Sequence, residues 1–463
     1  MKRALVLTAL LAIAAVGGAL AYRSAARDRS YRLLIASGEA ALASDETLAA
    51  VEDFSGAIAI RPDAMLARLR RGETYLRRGD LDLAARDFRT AASLDPTATR
   101  PLESLADVLY AQDRFKRAAE TYEERLKLDD RSAPIRYKLA LARYRDGAVE
   151  AALADARRAI ALDGQLADPY YLAALCLHDG GQAAEAVAAF KQAIERSPAL
   201  LAAREELADM FAADGRATEQ IEQLQALAAL DGNRAERQIA IGLAQAHAGN
   251  TDLAVATLSA ALDRAPDQSP VNAALGRIWL QLAEDGHERA ALGKALEALE
   301  RAASALSATS ETKALYGRAL ALAGQLDAAE QVFEQAAERY PVDPSALRQL
   351  STVAEQLGHT NAARSALIEY VSLRPTDRDT AGNAARIGTL SLALHDAPGA
   401  LPWLQRALAE HPQNIGVLSA MADAQLQTGD AAAARLTLNR AIALDSSNSQ
   451  VLALDRRIRK SGP

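Results

Sequence analysis

Histidine and cysteine are the side chains best suited to metal binding or nucleophilic work near neutral pH, and the chain has six of the first and one of the second. No pair of histidines has the HExxH spacing that sets two imidazoles on one helical face. No GxxxxGKS/T, GxGxxG or GxSxG segment offers a phosphate cradle or a nucleophile elbow. Catalysis therefore has no visible carrier, and neither a metal nor a cofactor is expected. His178 and His247 fall at the ends of helical stretches, and His287, His359 and His395 fall in turns, so each reads as a surface histidine. Cys176 sits in an apolar helical stretch and reads as a small buried hydrophobe. Standing alone, it forms no internal disulfide. Trp279 and Trp403 read as packing residues.

What positions these side chains is helical throughout. Half of the 463 residues are apolar but only 4% are aromatic, and the apolar share is mostly Ala and Leu, the best apolar helix formers. No stretch alternates β-branched and aromatic residues with polar ones over a strand length. An all-α protein follows. A net charge of −7 argues against a sequence-independent grip on phosphates, so no nucleic-acid partner is expected.

Phe54, Ala57 and Pro62 are each followed 34 residues later by Phe88, Ala91 and Pro96, and the pattern returns at Phe190, Ala193 and Pro198 and at Phe333, Ala336 and Pro341. Between Met65 and Ala98, Gly72 and Tyr75 lie on a first helix, Gly79-Asp80 makes a turn, and Ala84, Phe88, Ala91 and Pro96 follow on a second. Small residues let two antiparallel helices approach closely while large ones fill the space beside them. Proline then stops the second helix, and a glycine such as Gly79 or Gly429 supplies the left-handed backbone that ends the first. This arrangement resembles the tetratricopeptide repeat.

The resemblance implies a right-handed superhelical solenoid of about twelve repeats, beginning at Tyr31, Met65, Thr99, Ala133, Ala167, Leu201, Ala235, Ser269, Ser310, Pro344, Ala381 and Ile415. Repeats one to eight occupy residues 31–282 and the remainder 295–448, with an insertion over 283–294 where Asp285-Gly286-His287 marks a longer turn. Repeats four and six carry Ala156 and Leu224 where an aromatic is usual, and repeat three carries Arg125 at a small-residue position. A three-residue slip at Arg378 to Thr380 precedes repeat eleven, whose Pro398 and Pro402 are expected to delay or deform its second helix. Residues 449–463 read as a capping helix and tail, with Val451, Leu452, Leu454 and Ile458 on its apolar side. Glu330, Glu334 and Glu338 read as part of a solvated convex face.

Ahead of the repeats, Lys2 and Arg3 precede an apolar run over residues 4–21, near the lower limit for a bilayer span. Residues 1–22 read as a signal peptide, with Ala19-Leu20-Ala21 as a cleavage site, or as a single transmembrane anchor. Export would place the body at the bacterial cell envelope, inner-membrane anchored or periplasmic. Arg23, Arg27, Arg29 and Arg32 downstream leave open the opposite orientation, an anchor with the body facing the cytoplasm.

In tetratricopeptide repeats the first helices line a concave groove, and the resemblance implies that a protein or peptide partner binds there. Groove positions carry Tyr110 in repeat three, Tyr137, Leu141 and Tyr144 in repeat four, and Tyr171, Leu175 and His178 in repeat five. Rigid amphipathic side chains suit such a surface; packing between neighbouring helices is the other reading of these tyrosines. Glu73, Glu103, Asp107, Glu205 and Asp209 flank the cluster, whereas Arg277, Arg318 and Arg348 hold corresponding places later, which suggests an earlier subsite for a basic or aromatic segment and a later one for an acidic segment. The function expected is a non-catalytic scaffold for protein–protein interaction in the envelope. The alternative is a regulatory or carbohydrate-recognition subunit of an exopolysaccharide or surface-structure export complex. A small-molecule ligand is not expected.

Overall fold

The computed structural model describes residues 2–232, 234–264, 268–286, 290–377 and 379–460, with side chains described from residue 15 to 459. His287, Arg378 and the tail residues 461–463 of the sequence reading lie outside the described residues. Among the described residues every regular element is a helix, and the chain divides into two compact units, Met1–Arg216 and Ala217–Pro463.

The first unit holds α1 (Lys2–Ala43), α2 (Thr47–Ile60), α3 (Met65–Arg77), α4 (Leu81–Leu94), α5 (Thr99–Ala111), α6 (Phe115–Leu128), α7 (Ala133–Arg145), α8 (Val149–Leu162), α9 (Ala167–Asp179), α10 (Ala183–Arg196) and α11 (Leu201–Ala213). In the second are α12 (Ala217–Leu230), α13 (Ala235–His247), α14 (Thr251–Arg264), α15 (Ser269–Glu284), α16 (Ala291–Ala303), α17 (Ser310–Leu322) and α18 (Leu326–Ala337). It continues with α19 (Pro344–Leu357), α20 (Thr360–Leu373), α21 (Thr380–Ala393), α22 (Ala397–Glu410), α23 (Ile415–Gln427), α24 (Ala431–Leu444) and α25 (Ser449–Lys460). Within each unit successive helices pack as hairpins, α3 on α4 and α7 on α8 for instance, and neighbouring hairpins pack on one another.

Each hairpin closes on one side-chain pair. Gly72 on α3 faces the buried Phe88 on α4 so closely that a Cβ on the glycine would lie 2.7 Å from the ring. Gly276 approaches Leu299 in the same manner, to 2.4 Å, and Gly317 approaches Phe333, to 2.7 Å. In repeat four both members are small, Ala140 and Ala156, and both are fully buried. That hairpin is held in addition by charge: Asp155 on α8 is fully buried and paired with Arg136 and Arg143 of α7, and Arg143 also reaches Glu123 of α6. Repeat two repeats the device, with Arg71 gripping the buried Asp87 through two bonds of 2.7 and 2.8 Å and reaching Ser55 at 3.0 Å. Arg125 is likewise buried, its Nη1 donating to the Asp129 carbonyl at 3.1 Å.

The turn inside each hairpin needs one left-handed residue. Gly79 takes φ +81°, and the Asp80 N–H beyond it bonds back to the Tyr75 carbonyl at 2.9 Å. In repeats one, three and eleven the same turn position is filled by Asp45, Asp113 and His395, at φ +63°, +57° and +59°. A side chain there crowds the following carbonyl, a cost glycine avoids.

Several expectations change here. Pro398 sits in the first turn of α22, where its missing N–H costs nothing, and Pro402 lies within the helix. The helix still runs 14 residues, so it is not delayed. The extra residues of repeat eight are spread out, since α15 is 16 residues against 13 for α13 and α17. Glu330 is buried on α18 and accepts from Nδ1 of the exposed His359 at 2.8 Å, so Glu330 does not belong to a freely solvated face. On α25, Val451, Leu454 and Ile458 are buried against α23 and α24 while Leu452 points outward.

Two stability changes follow. Asp113→Gly relieves the strained turn and should raise stability by a few tenths to about 1 kcal/mol in chemical denaturation. Gly72→Val drives methyl groups into the Phe88 ring and should cost about 1–3 kcal/mol by the same measurement.

Candidate interaction surface

Within each unit the first helices of neighbouring repeats touch: α1 and α3, α3 and α5, and α7 and α9 in the first; α13, α15, α17 and α19 in turn, then α21, α23 and α25, in the second. No pair of second helices comes as near among the described residues. Close first helices and splayed second helices make the first-helix wall the inner one of each unit.

The tyrosines lie on that set of helices, half-buried. Tyr110 packs edge-on against Phe115, ring centroids 5.2 Å apart, and Tyr171 lies tilted against Phe190 at 5.8 Å. Tyr137, Leu141 and Tyr144 rest on the core formed by Ala140, Leu172 and Cys176, and Leu175 on that around Phe190. His178 is exposed. The Tyr144 hydroxyl donates to Asp179 Oδ2 across one repeat, at 2.8 Å. Packing between helices and exposure of one ring face therefore coexist. Burial pushes the Tyr137 phenol up to about 12, helped by Asp168, Tyr110 and Tyr171, which all lie within electrostatic reach of it. Burial, then the bond to Asp179, takes Tyr144 to about 12 as well. Tyr171 is raised by burial and by Glu206 and Glu205.

Charge is arranged differently from its order in the sequence. Glu73 is paired with Arg70 at 2.9 Å and Arg100 at 2.7 Å. Glu103 and Asp107 share Lys138, at 3.0 and 2.9 Å, and Asp107 also accepts from the buried Tyr122 hydroxyl. In the second unit Arg277 is paired with Glu311 at 2.5 Å and Arg318 with Glu284 at 2.6 Å, while Arg348 is exposed. Most of these charges are thus neutralised between repeats. Glu205 and Asp209 are exposed on α11. Asp179, Asp168 and Glu206, which the sequence reading did not single out, attend the tyrosines, Asp179 through the bond to Tyr144 and the other two within electrostatic reach of Tyr137 and Tyr171; Asp168 was recoverable, because it occupies the second position of repeat five.

Cys176 is buried, which pushes its thiol up to about 11. Trp279 and Trp403 pack against the core, with Lys294 Nζ 3.9 Å from the Trp279 ring centre. Among the described residues no three His, Cys, Asp or Glu side chains are grouped to hold a metal ion. The second unit has a cavity of about 650 Å³ between the loops 306–311 and 339–343, and another of about 520 Å³ beside Trp279; none of the four tyrosines lines either.

Antiparallel helix pairs stacked so that their first helices form the inner wall of each unit define a helical-repeat interaction scaffold. Three family models, each described as tetratricopeptide repeat, match more than half of the chain: one over residues 35–99, 104–167 and 317–378, one over 167–200 and one over 391–458. The chain belongs to the tetratricopeptide-repeat family. No curated protein matches its sequence. Among solved structures it is similar to the MamA protein, 20% identical over 37% of this chain and 93% of that one, TM-score 0.36. Another is pilF of Pseudomonas aeruginosa, 20% identical over 46% and 96%, TM-score 0.37. A third is YrrB, described as a TPR protein with an unusual peptide-binding site, 18% identical over 40% and 95%, TM-score 0.35. At these scores nothing beyond a shared repeat architecture is drawn from them.

Raised phenol pKa values make alkaline stability a readout of this surface. A phenol that holds its proton more tightly when folded contributes fully below about pH 10, and that contribution is lost as pH rises toward the folded values of about 12. Tyr137→Phe with Tyr144→Phe should therefore flatten the fall in melting temperature over this alkaline interval.

Proposed function

We propose that the protein is a non-catalytic scaffold that holds a segment of a partner protein along the inner first-helix wall of repeats three to five. The single observation carrying this reading is the run of half-buried tyrosines, Tyr110, Tyr137, Tyr144 and Tyr171, on α5, α7 and α9, each anchored on one side and open on another. Anchored rings lose little freedom when a partner lies on them, so binding there has a low entropic cost. Leu141 and Leu175 add apolar area between them.

The scaffold is placed at the bacterial cell envelope, tethered through residues 4–21. Among the described residues no helix is long and apolar enough to cross a membrane; residues 4–14 lie outside those whose side chains are described. What supports the tether is the apolar sequence itself and the exposure of α1 over residues 15–27, ahead of Asp28, which pairs with Arg61, and the buried Tyr31. A topology reporter fused after Pro463 separates the two orientations: periplasmic activity supports export, and cytoplasmic activity supports the opposite anchor.

The binding surface is tested by a photo-crosslinker placed at Leu175 in the cell. Tyr137→Ala with Tyr171→Ala should lower partner capture by about tenfold or more, with the thermal melt still cooperative. Unchanged capture by a folded double variant would remove these tyrosines from the site.

A further inference from the structure

The chemistry of the partner segment is written in the charges around the tyrosine wall, an argument that rests on the scaffold reading above. Helix α9 carries Asp168 and Asp179 but no lysine or arginine, and α11 carries Glu205, Glu206 and Asp209 against a single arginine, Arg204. The guanidinium of Arg204 turns to the loop before α11, donating to the Pro198 carbonyl at 3.2 and 3.1 Å. Cations on the preceding repeats are also engaged: Lys138 by Glu103 and Asp107, Arg136 and Arg143 by Asp155, and Arg145 over the Phe115 ring at 5.4 Å. Asp168, Glu206 and Asp209 have no ion-pair partner among the described residues.

These carboxylates stand beside aromatic rings. Asp168 lies one turn before Leu172, in the core against which Tyr137 packs, Glu206 directly precedes Leu207, in the core against which Tyr171 packs, and Asp179 is bonded to the Tyr144 hydroxyl at 2.8 Å. A ring face attracts a cation through its quadrupole, and a carboxylate at its edge accepts the N–H groups that the cation presents sideways. A planar guanidinium satisfies both at once, whereas a neutral or acidic side chain would leave the carboxylates uncompensated.

We propose that the tyrosine wall of repeats four and five, together with α11 of repeat six, docks an extended, arginine-bearing segment of the partner, with guanidinium groups stacked on Tyr137 and Tyr171 and bonded to Asp168 and Glu206. The acidic subsite is thereby moved away from Glu73, Glu103 and Asp107, whose charges are met internally, to the α9–α11 end of the first unit. The later arginines Arg277 and Arg318, already paired, take no part in it.

The test uses the full chain and a fluorescein-labelled, acetylated peptide of alternating glycine and arginine, compared with its citrulline and glutamate counterparts by fluorescence anisotropy. Citrulline keeps the shape of arginine and removes its charge. The arginine peptide should bind, and the citrulline and glutamate peptides should bind at least about tenfold more weakly. Asp168→Asn with Glu206→Gln should weaken arginine-peptide binding by a similar factor without moving the thermal melt, whereas Glu334→Gln with Glu338→Gln, remote exposed carboxylates on and beside α18, should leave it unchanged. Equal binding of arginine and citrulline peptides, or equal loss from both pairs of substitutions, overturns the proposal. Failure here together with tyrosine-dependent capture in the cell would discard the guanidinium chemistry and leave the scaffold; loss of both would discard the surface.

Discussion

Everything in this protein depends on how closely two antiparallel helices can approach, and that distance is set by one small residue facing one large one. Where Gly72 meets Phe88 the clearance is less than a methyl group needs. The same pairing at Gly276 with Leu299 and Gly317 with Phe333 repeats the hairpin geometry through the chain. Because the hairpins within a unit are alike, neighbouring ones present their first helices to the same side, and side chains at equivalent positions line up. The tyrosine wall is a consequence of that regularity: Tyr137 and Tyr171 are one repeat apart in sequence and neighbours in space.

Exceptions to the pairing show what can replace it. Repeat four has Ala156 where a ring is usual and holds its hairpin with a buried Asp155 between Arg136 and Arg143. A buried charge is costly unless fully paired, so these arginines are committed to structure and are withdrawn from any partner. Lys138 is committed in a similar way to Glu103 and Asp107. Asp168 on α9 and Glu206 on α11 thus stand near the rings while the lysine and arginines of repeat four are spent elsewhere in the same unit.

The hairpins were legible in the sequence because their determinants are local: a small residue, a large one sixteen positions on, glycine in the turn and proline at the exit. The left-handed turn at Gly79 could be read from its residue type. The same turn at Asp113 and His395 could not, because aspartate and histidine are common in many conformations and only the repeat position identifies the requirement. Charge was misjudged for a different reason. Ion pairs here run between repeats, Arg277 to Glu311 and Arg318 to Glu284 each spanning 34 residues, so counting charges repeat by repeat makes Glu103 and Arg318 look available when each is met by a neighbour one period away. The burial of Glu330 beneath His359 was hidden for the same reason, since the two are 29 residues apart. Scanning the sequence for opposite charges about one period apart would have found most of these pairs.

The central claim is that a partner lies on the first-helix wall and leaves the second helices free. Hydrogen–deuterium exchange on the full chain, with and without the partner segment identified by cross-linking, addresses it directly. Slowed exchange confined to α7, α9 and α11, with α8 and α10 unchanged, is the result the account requires. Protection centred on α8 and α10, with the tyrosine-bearing helices exchanging as before, would contradict it.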